Sequence, residues 1–226
     1  MNIPDINDLL YKLSYGVIPI IFAVAFHEAA HAYTAKWLGD DTAHRMGRTT
    51  LNPMVHIDPF GTIILPLATF LLSGFVFGYA KPVPVNAAKL RNPKADMPVV
   101  ALAGPAANAL MALFWAIFAL VMALALPSEC FCQKMAQAGI LVNLLLFAFN
   151  LIPLLPLDGG RILVGMLPDN LARPLYRIEP YSIFIIIFLA FSGSNIIGNY
   201  WVWPIMTSMI NIIQTIVSPL HYLLLK

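Results

Sequence analysis

The residues best placed to do chemistry in this 226-residue chain are His27-Glu28-Ala29-Ala30-His31. On a helix, side chains at i and i+4 sit one above the other on a single face, so this spacing pairs two imidazoles. Two histidines so arranged hold one zinc ion while the intervening glutamate serves as general base, and the alanines keep the helix slim beside the site. The pentapeptide lies in an apolar stretch over roughly residues 14–38. A carboxylate near the middle of a membrane helix costs about 2.5–3.5 kcal/mol, so Glu28 needs a compensating reason. A hydrolytic zinc site has three protein ligands and an open position, which leaves one ligand to find. His44 and His56 follow the first apolar stretch, His221 lies in the last, and Asp158 closes a long uncharged run. Around Asp158, Pro153 and Pro156 break the helix and Gly159-Gly160 permit close backbone approach. Irregular backbone at membrane depth is tolerated where it is buried in protein or lines a wet cavity.

The elements that must position these groups follow from where charge is absent. Hydrophobic residues make up 60% of the chain and charged ones 11%, with mean hydropathy +0.79. A soluble domain carries about 25% charged residues, so a water-soluble globule of this size could not cover its own surface. A cytosolic enzyme and a nucleic-acid binder are excluded, and a net charge of +2 supplies no basic field. No Asp, Glu, Lys or Arg occurs in Pro59–Ala80, Met97–Ser128, Met135–Leu157 or Pro180–Leu225. A bilayer core of ~30 Å needs about 20 apolar residues as a helix, so each run has spanning length and the last has room for two spans. Its centre, Ser192 to Asn199, is turn chemistry, and Tyr200, Trp201 and Trp203 suit the water interface. The acidic N-terminal region and the length of the first apolar segment argue for an uncleaved anchor. Cys130 and Cys132, one residue apart, are expected as free thiols.

With these residues in view, the sequence resembles the site-2 proteases, intramembrane zinc metalloproteases. The resemblance rests on His27 to His31 in one span, Asn150 to Gly160 ending in Leu157-Asp158-Gly159-Gly160 in a later one, and Ala103-Gly104-Pro105-Ala106-Ala107-Asn108 between them. Asn52-Pro53, His56-Ile57-Asp58-Pro59-Phe60-Gly61-Thr62 and Lys81-Pro82-Val83-Pro84-Val85-Asn86 are similar to the compact bacterial subgroup that lacks a PDZ domain. The matching region runs over about residues 20–165. The resemblance implies that His27, His31 and Asp158 ligate a single Zn2+ and that Glu28 is the base. It also implies that Asn108 contacts substrate or oxyanion near the metal, with Asn150 a second such candidate. It implies a transmembrane protein as substrate, cleaved in the lipid bilayer by zinc-activated water. The substrate helix must unwind first, and Lys81 to Asn86, too proline-rich for a central strand, suits an edge with which an unwound segment could pair.

The expected fold is an all-α polytopic membrane protein forming one unit over residues 1–226. Its catalytic core covers about 14–165 and extra C-terminal spans cover about 178–225. Six full spans would divide the thirteen basic residues nine against four. If Pro59–Ala80 dips in and returns on the same side, five spans remain and the division becomes eleven against two, which obeys the positive-inside rule better. Metal geometry favours five as well. Ligands of one ion must reach one depth, and only with five spans do the helices leading to His31 and to Asp158 run in the same direction. The reading is therefore five full spans, a re-entrant segment and short edge strands near the site, with the N-terminus outside and the active site toward the cytoplasm. The rival from another class is a membrane metal transporter or channel, which would spread ionisable groups along several spans. A facial-triad iron site shares the donor set but leaves Glu28 without a clear role. Nothing in the sequence sets an oligomeric state.

Overall fold

The computed structural model describes residues 6–64, 81–126, 130–191 and 196–224. All regular structure among them is helical. The helices are α1 (Ile6–Trp37), α2 (Thr42–Arg45), α3 (Pro93–Ala125), α4 (Phe131–Asn150), α5 (Asp158–Met166), α6 (Asp169–Ile178), α7 (Ser182–Phe191) and α8 (Trp203–Leu224). Short 3-10 turns at Pro53–Val55, Ala87–Lys89 and Glu179–Tyr181, and π-helical turns at Pro59–Ile64 and Gly198–Val202, join them.

The centre of the molecule is a three-helix unit of α1, α3 and α4, with α5 docked on α3. Small residues make this packing possible. Ala23, Ala25, Ala29, Ala32 and Ala35 form the buried face of α1. Gly139 of α4 receives the Trp115 ring of α3, which a methyl group at 139 would overlap. In lipid, where apolar surface gains nothing by leaving the solvent, close approach of this kind supplies the attraction between helices. Outward-facing residues are large and apolar instead, among them Phe22, Leu102, Leu110, Phe114 and Leu141.

Two groups of contacts give the helix directions. Lys134, in the first turn of α4, bonds the Tyr11 hydroxyl near the start of α1 at 2.9 Å, so α1 and α4 run parallel. The Arg91 amide, two residues before α3, donates to Leu38 O at 3.0 Å, so α3 returns antiparallel to α1. Three helices are long and apolar enough to cross a bilayer among the described residues: α1 over Leu13–Trp37, α3 and α4. At ~1.5 Å per residue, α3 is about 50 Å long, so its charged first turns with Lys94 and Asp96 extend beyond a ~30 Å core.

The five full spans expected are thus found only in part. The described portion of α7 is 10 residues long, too short to cross alone. With 22 residues α8 has the length, but Asn211, Gln214 and four serine and threonine residues dilute its apolarity. Three of those hydroxyls, of Thr207, Ser208 and Thr215, bond back to the carbonyl four residues earlier. The proposed re-entrant stretch Pro59–Ala80 lies outside the described residues beyond Ile64. Its flanks meet: the Lys81 amide donates to His56 O at 3.0 Å.

No edge strand forms at Lys81 to Asn86 among the described residues. Pro82 and Pro84 remove two donors, and three of the remaining amides are spent elsewhere, Lys81 on His56 O, Val83 on Glu28 and Asn86 on Asp40. The helix carrying Asn150 also stops there, three residues before Pro153. Asp158 opens the separate helix α5 after an irregular loop, and does not close the preceding span as expected.

Candidate metal centre

His27 and His31 sit ten and six residues before the end of α1, about 15 and 9 Å from it along the axis. Their rings are 4.6 Å apart and nearly perpendicular, and both residues are 8% exposed. The Nε2 atoms face each other at 3.0 Å, and Asp158 Oδ2 lies 3.2 Å from that of His27 and 3.3 Å from that of His31. This is the group among the described residues whose donor atoms converge as metal ligands would.

The outer nitrogens decide what the inner ones present. His27 Nδ1 is 2.7 Å from Asn108 Oδ1, and His31 Nδ1 is 2.7 Å from Val100 O. A carbonyl oxygen only accepts, so each Nδ1 carries the ring proton and each Nε2 shows a bare lone pair. The Asn108 amide is itself oriented, because its Nδ2 donates to Ala23 O at 3.1 Å and to Asn143 Oδ1 at 3.0 Å. Two lone pairs and a carboxylate oxygen therefore point at a common centre, and Asp158 Oδ2 is buried without a hydrogen-bond partner. Such a cluster repels itself unless a cation lies between its members. Zinc at ~2.0–2.1 Å from tetrahedral ligands places them about 3.3 Å apart, close to the separations observed. The donor set and its spacing fit that ion.

Local sequence explains how the groups come so close. Gly104 of α3 lies against both rings, and a Cβ there would come within 2.6 Å of Cε1 of His27 and of His31. The absence of a side chain lets His31 rest on the α3 backbone and reach the Val100 carbonyl one turn earlier. Gly159 and Gly160 abut the backbone of Leu151 to Leu155, which seats the start of α5 under the irregular loop and brings Asp158 to the histidines.

Glu28, half-buried, points to the neighbouring segment, where its Oε2 accepts the Val83 amide at 2.8 Å. The Val83 side chain is buried with Ala32 and Ala43. Asn108, expected beside substrate or oxyanion, is fully buried, with its amide engaged by His27, Ala23 and Asn143. Asn150 folds back to donate to Leu146 O at 3.0 Å and has no contact with the histidine–aspartate cluster. His44 is exposed beside Lys36, and His56 is buried with Nε2 donating to Thr50 O at 3.0 Å. Neither joins the metal group. Sequence reasoning missed Val100, Asn143 and the role of Gly104. Asn143, a polar residue inside a 23-residue uncharged run, was the available signal.

Fold and site together describe a protein with helices long and apolar enough to cross a membrane and a buried group of two histidines and one carboxylate that could hold a metal ion. Residues 127–193 match the family model described as Peptidase family M50. A Bacillus subtilis (strain 168) protein named "Putative zinc metalloprotease YwhC" is 37% identical over 94% of this chain and 98% of its own length. A Mycolicibacterium smegmatis protein named "Putative zinc metalloprotease Rip2" is 30% identical over 80% of this chain and 71% of its own. The chain belongs to peptidase family M50, the site-2 protease family. No solved structure matches it significantly.

Proposed function

We propose that this protein is an intramembrane zinc endopeptidase that hydrolyses peptide bonds of membrane-embedded substrate helices. His27, His31 and Asp158 hold the ion, and Glu28 is the general base. The observation that carries this reading is the convergence within 3.0–3.3 Å of two unprotonated Nε2 atoms on α1, a helix of membrane-spanning length, and a carboxylate oxygen at the start of α5 that lacks a hydrogen-bond partner. Zinc, when bound, supplies a Lewis acid for the scissile carbonyl and acidifies water at its open position. Glu28 takes the proton of the attacking water and returns it to the leaving amine. Val83, which donates to Glu28, keeps the carboxylate turned toward Lys81 to Asn86, the segment along which an unwound substrate would lie. Asn108 and Val100 hold the imidazoles in the ligating tautomer.

Five crossings, with the described regions on either side of residues 65–80 at one face of the membrane, complete the proposal. The Lys81 to His56 bond supports this, since the two flanks of that segment touch, as do the parallel directions of α1 and α4. A transport pathway would require ionisable groups along the spans, and among the described residues the candidate ligands form one cluster.

Two measurements test the reading. Purified wild-type protein should hold one zinc per chain and Asp158→Ala should hold little. Glu28→Gln should keep its zinc while cleavage of a single-span membrane protein falls about 10²–10⁴-fold. Full zinc in the Asp158 variant, or full cleavage by the Glu28 variant, would refute the assignment.

A further inference from the structure

A line of hydrogen bonds runs from α4 through α3 to the metal-facing ring of α1. Asn143 Nδ2 donates to Gly139 O one turn back on α4 at 2.8 Å. That bond uses the donor end of the amide, so Oδ1 faces α3 and accepts from Asn108 Nδ2 at 3.0 Å. Asn108 Oδ1 is thereby left to accept from His27 Nδ1 at 2.7 Å. Both asparagines are 0% exposed. A primary amide can be turned by 180° at little steric cost, and turned over, Asn108 would offer an N–H to His27 Nδ1. The ring would then have to move its proton to Nε2, the atom that faces Asp158 and His31.

The geometry points to Asn143 as a positioning residue for the metal site: it fixes the orientation of Asn108, which in turn fixes the tautomer of His27. Asn143 touches neither ion nor substrate. It lies 35 residues from Asn108 along the chain and acts on a ligand two helices away, through a relay that also ties α4 to α1. Buried polar side chains are expensive in a membrane helix, and the bonds of this one, one donated and one accepted, bring both ends of its amide into use. Ala23 O, the second acceptor for Asn108 Nδ2, supports the same orientation from α1 itself.

This inference rests on the metal site proposed above, so its test reads metal affinity with a control for that site. Full-length protein in detergent would be titrated with zinc against a chromophoric chelator, and with Co2+ for its visible spectrum. Outer partners of ligating histidines are worth about 10–100-fold in affinity, so Asn143→Leu should weaken zinc by that much and alter the Co2+ bands. Asn108→Leu should weaken zinc comparably, and adding Asn143→Leu to it should change affinity by less than about threefold, because the relay is already cut. Thermal melting of the metal-free proteins controls for folding, and Asn143→Ala replaces the leucine variant if the latter does not fold. Zinc affinity and Co2+ bands unchanged in the Asn143 variant would overturn the inference, as would losses from the two sites that multiply independently. If His27→Ala keeps wild-type zinc affinity, the metal site itself is wrong, a result distinct from failure of the relay.

Discussion

A single hydrogen atom can spoil the proposed site at the scale of the residue, because His27 and His31 could serve as ligands only while their protons stay on Nδ1. Gly104 takes part in this without a side chain of its own. It lets the rings lie against α3, where the Val100 carbonyl receives the His31 proton. Gly104→Ala is therefore expected to push both rings away from α3 and to reduce zinc affinity by about tenfold or more, as loss of a ligand's outer partner does. Chelator competition would measure it. Melting of the metal-free protein should change much less than zinc affinity does; equal losses would mark the glycine as a general packing residue. The residues of the histidine–aspartate cluster were legible in the sequence because charge and imidazole are conspicuous in apolar runs. Their supports were not. Val100 contributes a backbone carbonyl, which no side-chain type announces, and Gly104 contributes a vacancy. Asn108 was visible as a polar residue, but only the surrounding acceptors, Ala23 O and Asn143 Oδ1, reveal that its amide oxygen faces the His27 ring.

Among elements, the segment from Lys81 to Asn86 is held in place by carboxylates where a sheet would use carbonyls. Asp40 closes the turn after α1, at Gly39 with φ of +111°, and accepts the Thr42 amide and hydroxyl at 3.0 and 2.5 Å and the Asn86 amide at 2.6 Å. Burial pushes its carboxyl up, but these bonds and the charge of Lys89 outweigh burial and hold it below the ordinary value of 3.8. A carboxylate depressed on folding stabilises above its unfolded value, and the gain disappears as pH falls through the folded one. Asp40→Asn should thus be less stable than wild type near pH 7, by about 2 kcal/mol for bonds to a charged acceptor. The gap should narrow below a pH of about 4, as thermal melts in detergent across pH would record; a constant gap would exclude the charge as its source. Helix existence was readable from uncharged runs, and the break before Asp158 from Pro153 and Pro156. The lack of an edge strand was not, since proline placement shows which donors are missing but not that Glu28, Asp40 and the His56 carbonyl claim three of the four others. The start of α5 was hidden for a similar reason, because paired glycines announce close approach without naming the backbone they approach.

For the whole molecule, the decisive quantity is direction across the bilayer. Because α1 and α4 run parallel, their C-terminal ends reach the same side, and Asp158 emerges near the half of α1 that carries His27 and His31. An antiparallel pair would leave the carboxylate a helix length from the imidazoles. The bond from Lys81 to His56, with that from Arg91 to Leu38, brings the regions before and after residues 65–80 to that same side. On the five-span proposal eleven of the thirteen basic residues lie on this side, which the positive-inside rule would make the cytoplasmic one. Two cysteines already stand on the opposite side, at the start of α4. In intact cells, Cys130 and Cys132 should react with a membrane-impermeant maleimide. Met54→Cys, at an exposed position in a background lacking both native cysteines, should react only after the membrane is opened. A reporter fused near Asn86 should be cytoplasmic. Labelling of position 54 from outside would place the two flanks of residues 65–80 on opposite faces. That would contradict the His56–Lys81 bond and restore six crossings.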